Sequence, residues 1–541
     1  MVVRLSALSA LFLLGCAASA PPRPTAPAHE DDPLAHWDAT PKAPLAWSDF
    51  DDETFARAKS EKKFIVMDGS AEWCHWCHVM EAVTYHDAAV RSELDAHFIA
   101  AKVDVDARPD IEERYAEYGW PATVIFSPDG RELGKYRGFI APDRFAEILR
   151  AVVSAGDSPS ARGDEEDPAI DDAPLPEAEL QWIERSTIVN LEDFWDAEQG
   201  SWGHQQKVPL FMTNEWALER AKSDAEWKKR ILFTLDQESN ITDPVWDGIY
   251  QYSTDGDWKH PHFEKLLYFN AGALSNFVDA FALTKDDKWL AAARAIKKYL
   301  DRFLSSPEGG FYVTQDADLN AHEPGKTFAT GHAYYALDEA HRLALGVPRV
   351  DTHEYPQVNG MAIAAYAKFA AASGDASALE RAKRAADRIL ATHASKTGGL
   401  VHGETTEHVI HLADNASFAM GLLTLAEQTK ESARVDQAVK IVDAIVDAME
   451  DARGGGFFSR SKDPDAVGVF AARRKPFEDN VTMLRVLARL AKNPLVADRA
   501  PKYKRLIDRT LRAMATPERI HDRGRMVGDF LMALEETRGV R

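Results

Sequence analysis

Cysteine is nearly absent: Cys16, Cys74 and Cys77 are the only three in 541 residues. A chain of this size cannot rest on a disulfide framework, so each cysteine needs its own reason. An excess of basic residues is also missing, with 64 Lys and Arg against 86 Asp and Glu and a formal net charge of -22. Such a charge is repelled by phosphate backbones and anionic bilayers, which excludes non-specific nucleic-acid binding and electrostatic attachment to lipid. Long apolar runs are lacking as well. The run from Leu5 to Leu14 is too short to cross a bilayer as a helix, and past residue 44 no stretch approaches that length. What is left is a composition of 45% hydrophobic and 28% charged residues, that of a soluble globular protein. The length suits three or four domains, or one small domain beside a large repeat-built one.

The short N-terminal apolar run follows Arg4 and ends at Leu13-Leu14-Gly15-Cys16. It reads as a signal peptide, and its end resembles a bacterial lipobox, in which Cys16 carries the lipid. The expected location is therefore exported and membrane-anchored, on the periplasmic or cell-envelope side, with lipid as the only membrane contact. An ordinary signal peptide cut near Ala18 or Ala20 is the alternative. Residues 17–44, rich in Ala, Pro and acidic residues, read as a flexible tether.

Residues 45–156 read as an α/β unit. Phe64-Ile65-Val66-Met67-Asp68 is a buried strand leading into Cys74-His75-Trp76-Cys77-His78, and helical character continues through Val79-Met80-Glu81. A second strand is expected at 99–105, a helix at 108–118, a strand running into Phe126, a hairpin partner at 131–138 and a closing helix at 142–153. This order matches a thioredoxin fold. A dithiol where a strand hands over to a helix meets unpaired amides that stabilise a thiolate. Cys74, expected to be the more exposed, would attack and Cys77 would resolve. Trp120-Pro121 is the candidate cis bond facing the dithiol, with Trp76 and Pro121 as substrate contacts.

Two rival chemistries share the motif. Cys74-x-x-Cys77-His78 is also an attachment pattern for c-type haem. Zinc held by Cys74, Cys77 and histidines among His75, His78 and His86 is the other, but adjacent helical positions point apart and converge poorly on one ion. The strand framework favours a redox dithiol, so no cofactor and no metal are expected.

Residues 157–176 read as an acidic, proline-bearing linker. Beyond it helical apolar periods recur at 177–194, 265–284, 286–304, 331–345, 357–373, 376–394, 412–430, 432–451 and 498–515, with weaker ones at 212–237, 480–492 and 528–537. Loops of similar chemistry, Gly309-Gly310-Phe311, Gly398-Gly399-Leu400 and Gly454-Gly455-Gly456-Phe457, punctuate them and point to repeated helix pairs. The pattern fits either an open solenoid or a closed ring. Polar groups gather in three loops: Asp255, His260, His262 and Glu264; Asp316 and Asp318; Glu404, His408 and Asp414. Paired carboxylates there would serve glycoside hydrolysis and histidines a sugar epimerisation, or they would brace loops. Trp202, Trp246, Tyr250, Tyr252, Trp258, Phe311 and Tyr312 are candidates to stack on sugar rings or to fill a core.

Several ordered motifs carry a resemblance. Cys74-His75-Trp76-Cys77-His78-Val79-Met80-Glu81, Lys102-Val103-Asp104, Arg108-Pro109-Asp110-Ile111, Gly119-Trp120-Pro121, Pro261-His262-Phe263-Glu264-Lys265-Leu266-Leu267-Tyr268, Asp316-Ala317-Asp318 and Glu478-Asp479-Asn480 resemble the thioredoxin-domain proteins related to spermatogenesis-associated protein 20. The resemblance implies a multidomain fold: an N-terminal α/β thioredoxin-like domain followed by an all-α (α/α)6 toroid at 177–541, of the six-hairpin glycosidase and N-acylglucosamine 2-epimerase kind. Val358 stands where the family has Trp, and Gly248 to Ser253 lacks a glycine-rich insert, which implies a reshaped toroid cavity. The first functional expectation is an extracytoplasmic thiol–disulfide oxidoreductase acting through Cys74 and Cys77 on a protein thiol or disulfide. In it the toroid binds a partner or a carbohydrate-like ligand through His262, Glu264, Asp316 and Asp318. A carbohydrate-active enzyme with a structural thioredoxin fold, and a non-catalytic envelope binding protein, are the alternatives.

Overall fold

The computed structural model describes residues 45–156, 168–170, 173–321, 323, 325–403 and 408–541. Cys16, the tether and Glu404 lie outside the described residues, as does much of the acidic linker. Among the described residues no helix is long and apolar enough to cross a membrane.

The N-terminal unit runs α1 (Asp52–Glu61), β1 (Phe64–Ser70), α2 (His75–Val79), α3 (Ala88–His97), β2 (Phe98–Asp104), α4 (Pro109–Tyr115), β3 (Ala122–Phe126), β4 (Glu132–Arg137) and α5 (Pro142–Ala155). Its sheet has the order β2-β1-β3-β4, with β1 and β2 parallel and the other pairs antiparallel. Because β1 is central and covered on both faces, Phe64 to Met67 are apolar without alternation, and the strand ends in the buried polar residues Asp68 and Ser70. Ile65, Met67 and Phe126 face one core with Phe50 and Phe55. Val66 and Ile125 face the other with Tyr85, Leu94 and Phe145. Helix ends follow local chemistry: the Asp51 carboxylate caps α1 by accepting Thr54 N–H at 2.9 Å, and Pro142 opens α5, where a missing N–H costs nothing.

The remainder is helical: α6 (Glu177–Glu192), α7 (Phe211–Arg220), α8 (Ala225–Glu238), α9 (Leu267–Thr284), α10 (Asp287–Phe303), α11 (Gly331–Tyr335), α12 (Glu339–Leu345), α13 (Pro356–Ser373), α14 (Ala376–Thr392), α15 (Leu412–Thr429), α16 (Ser432–Met449), α17 (Phe477–Lys492), α18 (Ala500–Met514), α19 (Pro517–His521) and α20 (Gly528–Thr537). Helices α7, α9, α13, α15, α17 and α20 touch in that order, and α20 returns to α7, so the inner ring closes. Outside it, α8 lies on α7, α10 on α9, α14 on α13, α16 on α15, α18 on α17 and α6 on α20. The ring is thus six inner and six outer helices, the (α/α)6 toroid. Outer helices such as α10 and α14 carry one apolar stripe, whereas α9, α13 and α15 are buried nearly all round. Two expected helices break in two. The 212–237 segment divides at Asp224, whose carboxylate caps α8, and 331–345 divides at Asp338, which caps α12.

A repeated asparagine explains the recurrent loops. Asn359, one turn into α13, accepts the N–H of Phe311 at 2.8 Å and donates to the carbonyls of Phe311 and Tyr355. Asn270 does the same for Ile249, Asn415 for Leu400 and Asn480 for Phe457. Each side-chain amide substitutes for a missing strand partner, pinning an incoming loop to the start of an inner helix. Where α13 crosses α15 the backbones nearly touch: a Cβ on Gly421 would lie 2.4 Å from the Gly360 carbonyl oxygen.

The two units share a core. Phe470, from the toroid, inserts among Phe50, Phe126 and Tyr115 with ring centroids 5.7, 6.0 and 6.4 Å away. Arg114 stacks over Phe470 and donates to the Val469 carbonyl at 2.9 Å.

Candidate active site at the domain interface

After β1 the chain turns through Trp73, whose indole N–H donates to Asp106 Oδ2 at 2.6 Å, and enters α2. Cys74 is the cap of this helix: its Sγ accepts the Cys77 N–H at 3.1 Å. The two sulfurs are joined as a disulfide with Cα atoms 5.2 Å apart. The Trp120–Pro121 bond is cis, and Pro121 is buried at the start of β3.

The expectation of a more exposed Cys74 is corrected: Cys74 and Cys77 are each only 4% exposed. Around them pack Ala71, Trp73 and Val105 of their own domain, with Leu266 of the toroid against the same cluster. A three-stranded sheet of Lys265–Leu266, Thr314–Gln315 and Val350–Asp351 carries Glu264 and Asp316 to the interface side by side. Beneath it, Lys265 Nζ binds Asp243 at 2.6 Å, and Arg342 binds the same carboxylate at 2.7 Å, which anchors the sheet in the ring. Above it, Glu264 Oε1 accepts the His75 N–H at 3.2 Å, and Trp73 O accepts the Ala317 N–H at 3.3 Å. Asp318 Oδ2 accepts from His75 Nδ1 at 2.9 Å and from His78 Nδ1 at 2.8 Å, while its Oδ1 accepts the Gly331 N–H at 2.8 Å. The toroid therefore grips the helix that bears the dithiol.

Electrostatics follow from this packing. Burial and the Asp318 charge push the Asp316 carboxyl up, because His78 offsets them only in part. Burial would raise Asp318 too, but His75 and His78 hold it well below the usual carboxylate range. Burial opposes a charge on His78, yet Asp316 and Asp318 lift it to about 9. Its other ring nitrogen, Nε2, faces the Glu72 carbonyl at 3.0 Å and lies 3.9 Å from Asp316 Oδ2. Asp316 Oδ2 and Glu264 Oε2 are buried without a hydrogen bond.

Beside the dithiol helix lies a cavity of about 230 Å³ lined by His75, Trp76, His262, Phe263, Asp318 and His332. Of the expected contacts, Trp76, His262 and Asp318 thus face one space, while Glu264, Asp316 and Pro121 are buried. His262 stacks on Tyr252 with centroids 4.2 Å apart. Asp255 is exposed, and His260 is bound to Asp257 at 2.9 Å. The third loop does not join them: His408 is exposed, and Asp414 is buried against His402 at 2.9 Å. His86 bonds the Glu81 carbonyl at 2.7 Å, which keeps it from converging with His75 and His78. Of the aromatics read as sugar-stacking or core, Trp202, Trp246, Tyr250, Trp258 and Phe311 fill the core, each 3% exposed or less within the toroid.

The ring encloses a second cavity of about 290 Å³, with Phe211 and Tyr268 on its wall. Glu215 and Asp529 are both bound to Arg485, and Glu478 pairs with Arg523 at 2.7 Å. Asp479, also lining it, makes no hydrogen bond or ion pair among the described residues. Burial holds its carboxyl well above the ordinary range, and Glu112 of α4 and Glu478 add repulsion. Sequence reasoning quoted Asp479 within a motif without giving it a role. It missed His402, whose Nε2 donates to the Asp106 carbonyl at 2.7 Å, a partner 296 residues away that no local pattern announces.

The family model Thioredox_DsbH, described as a protein of unknown function, DUF255, matches residues 35–153. Human spermatogenesis-associated protein 20 is 25% identical over 541 aligned residues, covering 77% of this chain and 69% of the human protein. The chain is a homologue of that protein. Its N-terminal domain is also 32% identical over 114 residues to the thiol:disulfide interchange protein DsbD of Ralstonia nicotianae, covering 20% of this chain and 19% of that one. Among solved structures, a D-mannose isomerase superposes with a TM-score of 0.50 at 12% identity, covering 67% of this chain and 99% of its own. The homologue thus joins a thioredoxin-like, DsbD-related domain to an α/α toroid, as its motifs imply.

Proposed function

We propose that the protein is a thiol–disulfide oxidoreductase whose Cys74–Cys77 pair works from inside the domain interface. The observation that carries this reading is the disulfide itself, formed at the start of α2 with Cys74 Sγ accepting a helix N–H. A hydrogen bond to sulfur favours the thiolate of the reduced form. Reduced Cys74 attacks a substrate disulfide and releases one substrate thiol. Cys77 then displaces the second substrate thiol, and two electrons have left the protein as its own disulfide forms. Because both sulfurs are covered, a protein thiol or disulfide reaches them when the interface opens, and the cavity beside His75 and Trp76 is the approach. An exported, lipid-anchored location through Cys16 belongs to the same proposal, supported by the apolar run that ends at Leu13-Leu14-Gly15-Cys16. Mass-tag alkylation across a glutathione series tests the redox step. A reversible two-electron transition, lost in Cys74→Ser, is expected; unreactive sulfurs under all conditions would refute it.

A second reading, an enzyme acting on a carbohydrate-like ligand, is favoured by one observation: Asp479, without a hydrogen bond or ion pair among the described residues, lines the ring cavity, its carboxyl held above the ordinary range by burial, as a general acid needs. Turnover of a sugar that persists in Cys74→Ser and vanishes in Asp479→Asn is the expected sign. Equal turnover by both variants removes that role for Asp479.

A further inference from the structure

Three carboxylates, Glu264, Asp316 and Asp318, are buried to 3% exposure or less around His78 and His75. Two imidazoles balance at most two of these carboxylates, and the third stays neutral or needs another cation. Two carboxylate oxygens, Asp316 Oδ2 and Glu264 Oε2, lack any hydrogen bond. Buried charge without a partner is unfavourable, and proteins that retain it pair it or coordinate a cation.

We infer that this cluster binds a divalent first-row metal cation, with His78 and Asp316 as ligands and Asp318 as the carboxylate that orients the imidazole. Ligand atoms of His78, Asp316 and Asp318 all lie within 4.8 Å of one another, a span that a cation with bonds of about 2.1 Å nearly bridges, leaving a shift of a few tenths of an ångström. His78 is presented as a ligand should be. Its Nδ1 is engaged by Asp318 at 2.8 Å, which leaves Nε2 facing the Glu72 carbonyl with Asp316 Oδ2 3.9 Å away. The Glu72 carbonyl oxygen, 3.0 Å from Nε2, offers a third donor at the same place. A cation there replaces the second proton that His78 otherwise needs, since both of its nitrogens face acceptors. Imidazole and carboxylate donors without sulfur suit zinc, manganese or ferrous iron. Cys74 and Cys77 are not ligands, which separates this site from a zinc site built on the cysteines. The ion would also join α2 of one domain to the Asp316–Asp318 loop of the other, one residue beyond Cys77.

The test is metal analysis of the full chain purified without chelator, followed by calorimetric titration of the stripped protein with zinc chloride. One equivalent is expected, kept in the Cys74→Ser/Cys77→Ser variant and weakened at least about tenfold in Asp316→Asn and in His78→Gln. Circular dichroism of the stripped variants confirms their folding. Calorimetric silence of the wild type overturns the inference. So does loss of binding in the double serine variant, which would place the metal on sulfur, or undiminished binding in both ligand variants.

Discussion

Replacing Asp318 with Asn tests whether the toroid controls access to the dithiol. The change is isosteric at a side chain with no solvent exposure, so it removes charge and acceptor capacity without opening a cavity. The amide oxygen keeps the Gly331 N–H, a bond inside the toroid. Its NH₂ can bond His75 Nδ1 and His78 Nδ1 only if both imidazoles are neutral and turn a lone pair toward it, so the two charge-assisted bonds that cross the interface become neutral ones. A hydrogen bond to a charged group contributes about 1.5–3 kcal/mol against about 0.5–1.5 for a neutral one, so over two bonds the interface loses about 2–3 kcal/mol. If labelling proceeds through a rare opening of the interface, each 1.4 kcal/mol is about a tenfold change in the open population. Alkylation of the reduced protein should then accelerate by about 30-fold or more. The measurement is a native time course of mass-tag labelling in chelator-containing buffer, beside thermal melts of both proteins. A lower melting temperature with an unchanged labelling rate would show that Asp318 stabilises the fold without gating the sulfurs, and the reasoning fails.

Three further outcomes concern the toroid. Glu238, 1% exposed and bound by Asn214, is pushed by burial from 4.5 up to about 8. The folded state therefore holds a proton that the unfolded chain releases, and stability present below pH 4.5 falls by about 3 kcal/mol on reaching pH 7. Glu238→Gln should abolish that slope, so its advantage in melting temperature grows between pH 5 and 8; parallel curves would contradict it. Asn359→Ala leaves the buried Phe311 N–H and carbonyl unpaired and should cost about 3 kcal/mol in urea unfolding, against a null expectation of under about 1 for an exposed Asn. Gly421→Ala, ordinarily favourable in a helix, should instead destabilise by about 1–3 kcal/mol, because the new Cβ meets the Gly360 carbonyl; a rise in midpoint would refute the close crossing.

How much of this was legible in the chain depends on the range over which each feature is decided. Strand β1 announced itself through the unbroken apolar run Phe64 to Met67, which a strand buried on both faces favours. The dozen helices were visible in their periodicity, and the breaks at Asp224 and Asp338 were missed because a capping aspartate looks like any exposed acid until the backbone turns. The asparagines at 270, 359, 415 and 480 stood in plain view, yet their purpose lies in loops 15–48 residues away that only the folded ring brings back. Closure of the ring came from resemblance, since a solenoid and a toroid share the same local code.

The same limit governs the dithiol. Cys74-x-x-Cys77 in a thioredoxin framework implies an accessible attacking sulfur, because reactive thiolates sit in partly exposed surroundings. Here Glu264, Ala317 and Asp318 add a hold from the toroid, and their bonds to His75, Trp73 and His78 join parts of the chain some 190–240 residues apart. Those toroid residues were read as polar loop groups at a ring mouth, as their local chemistry suggests. What turns them into a clasp is that each finds its partner on the CxxC helix. A motif that signifies exchange with an external disulfide thus becomes, in this architecture, a redox pair whose reactivity is set by how firmly one domain holds the other.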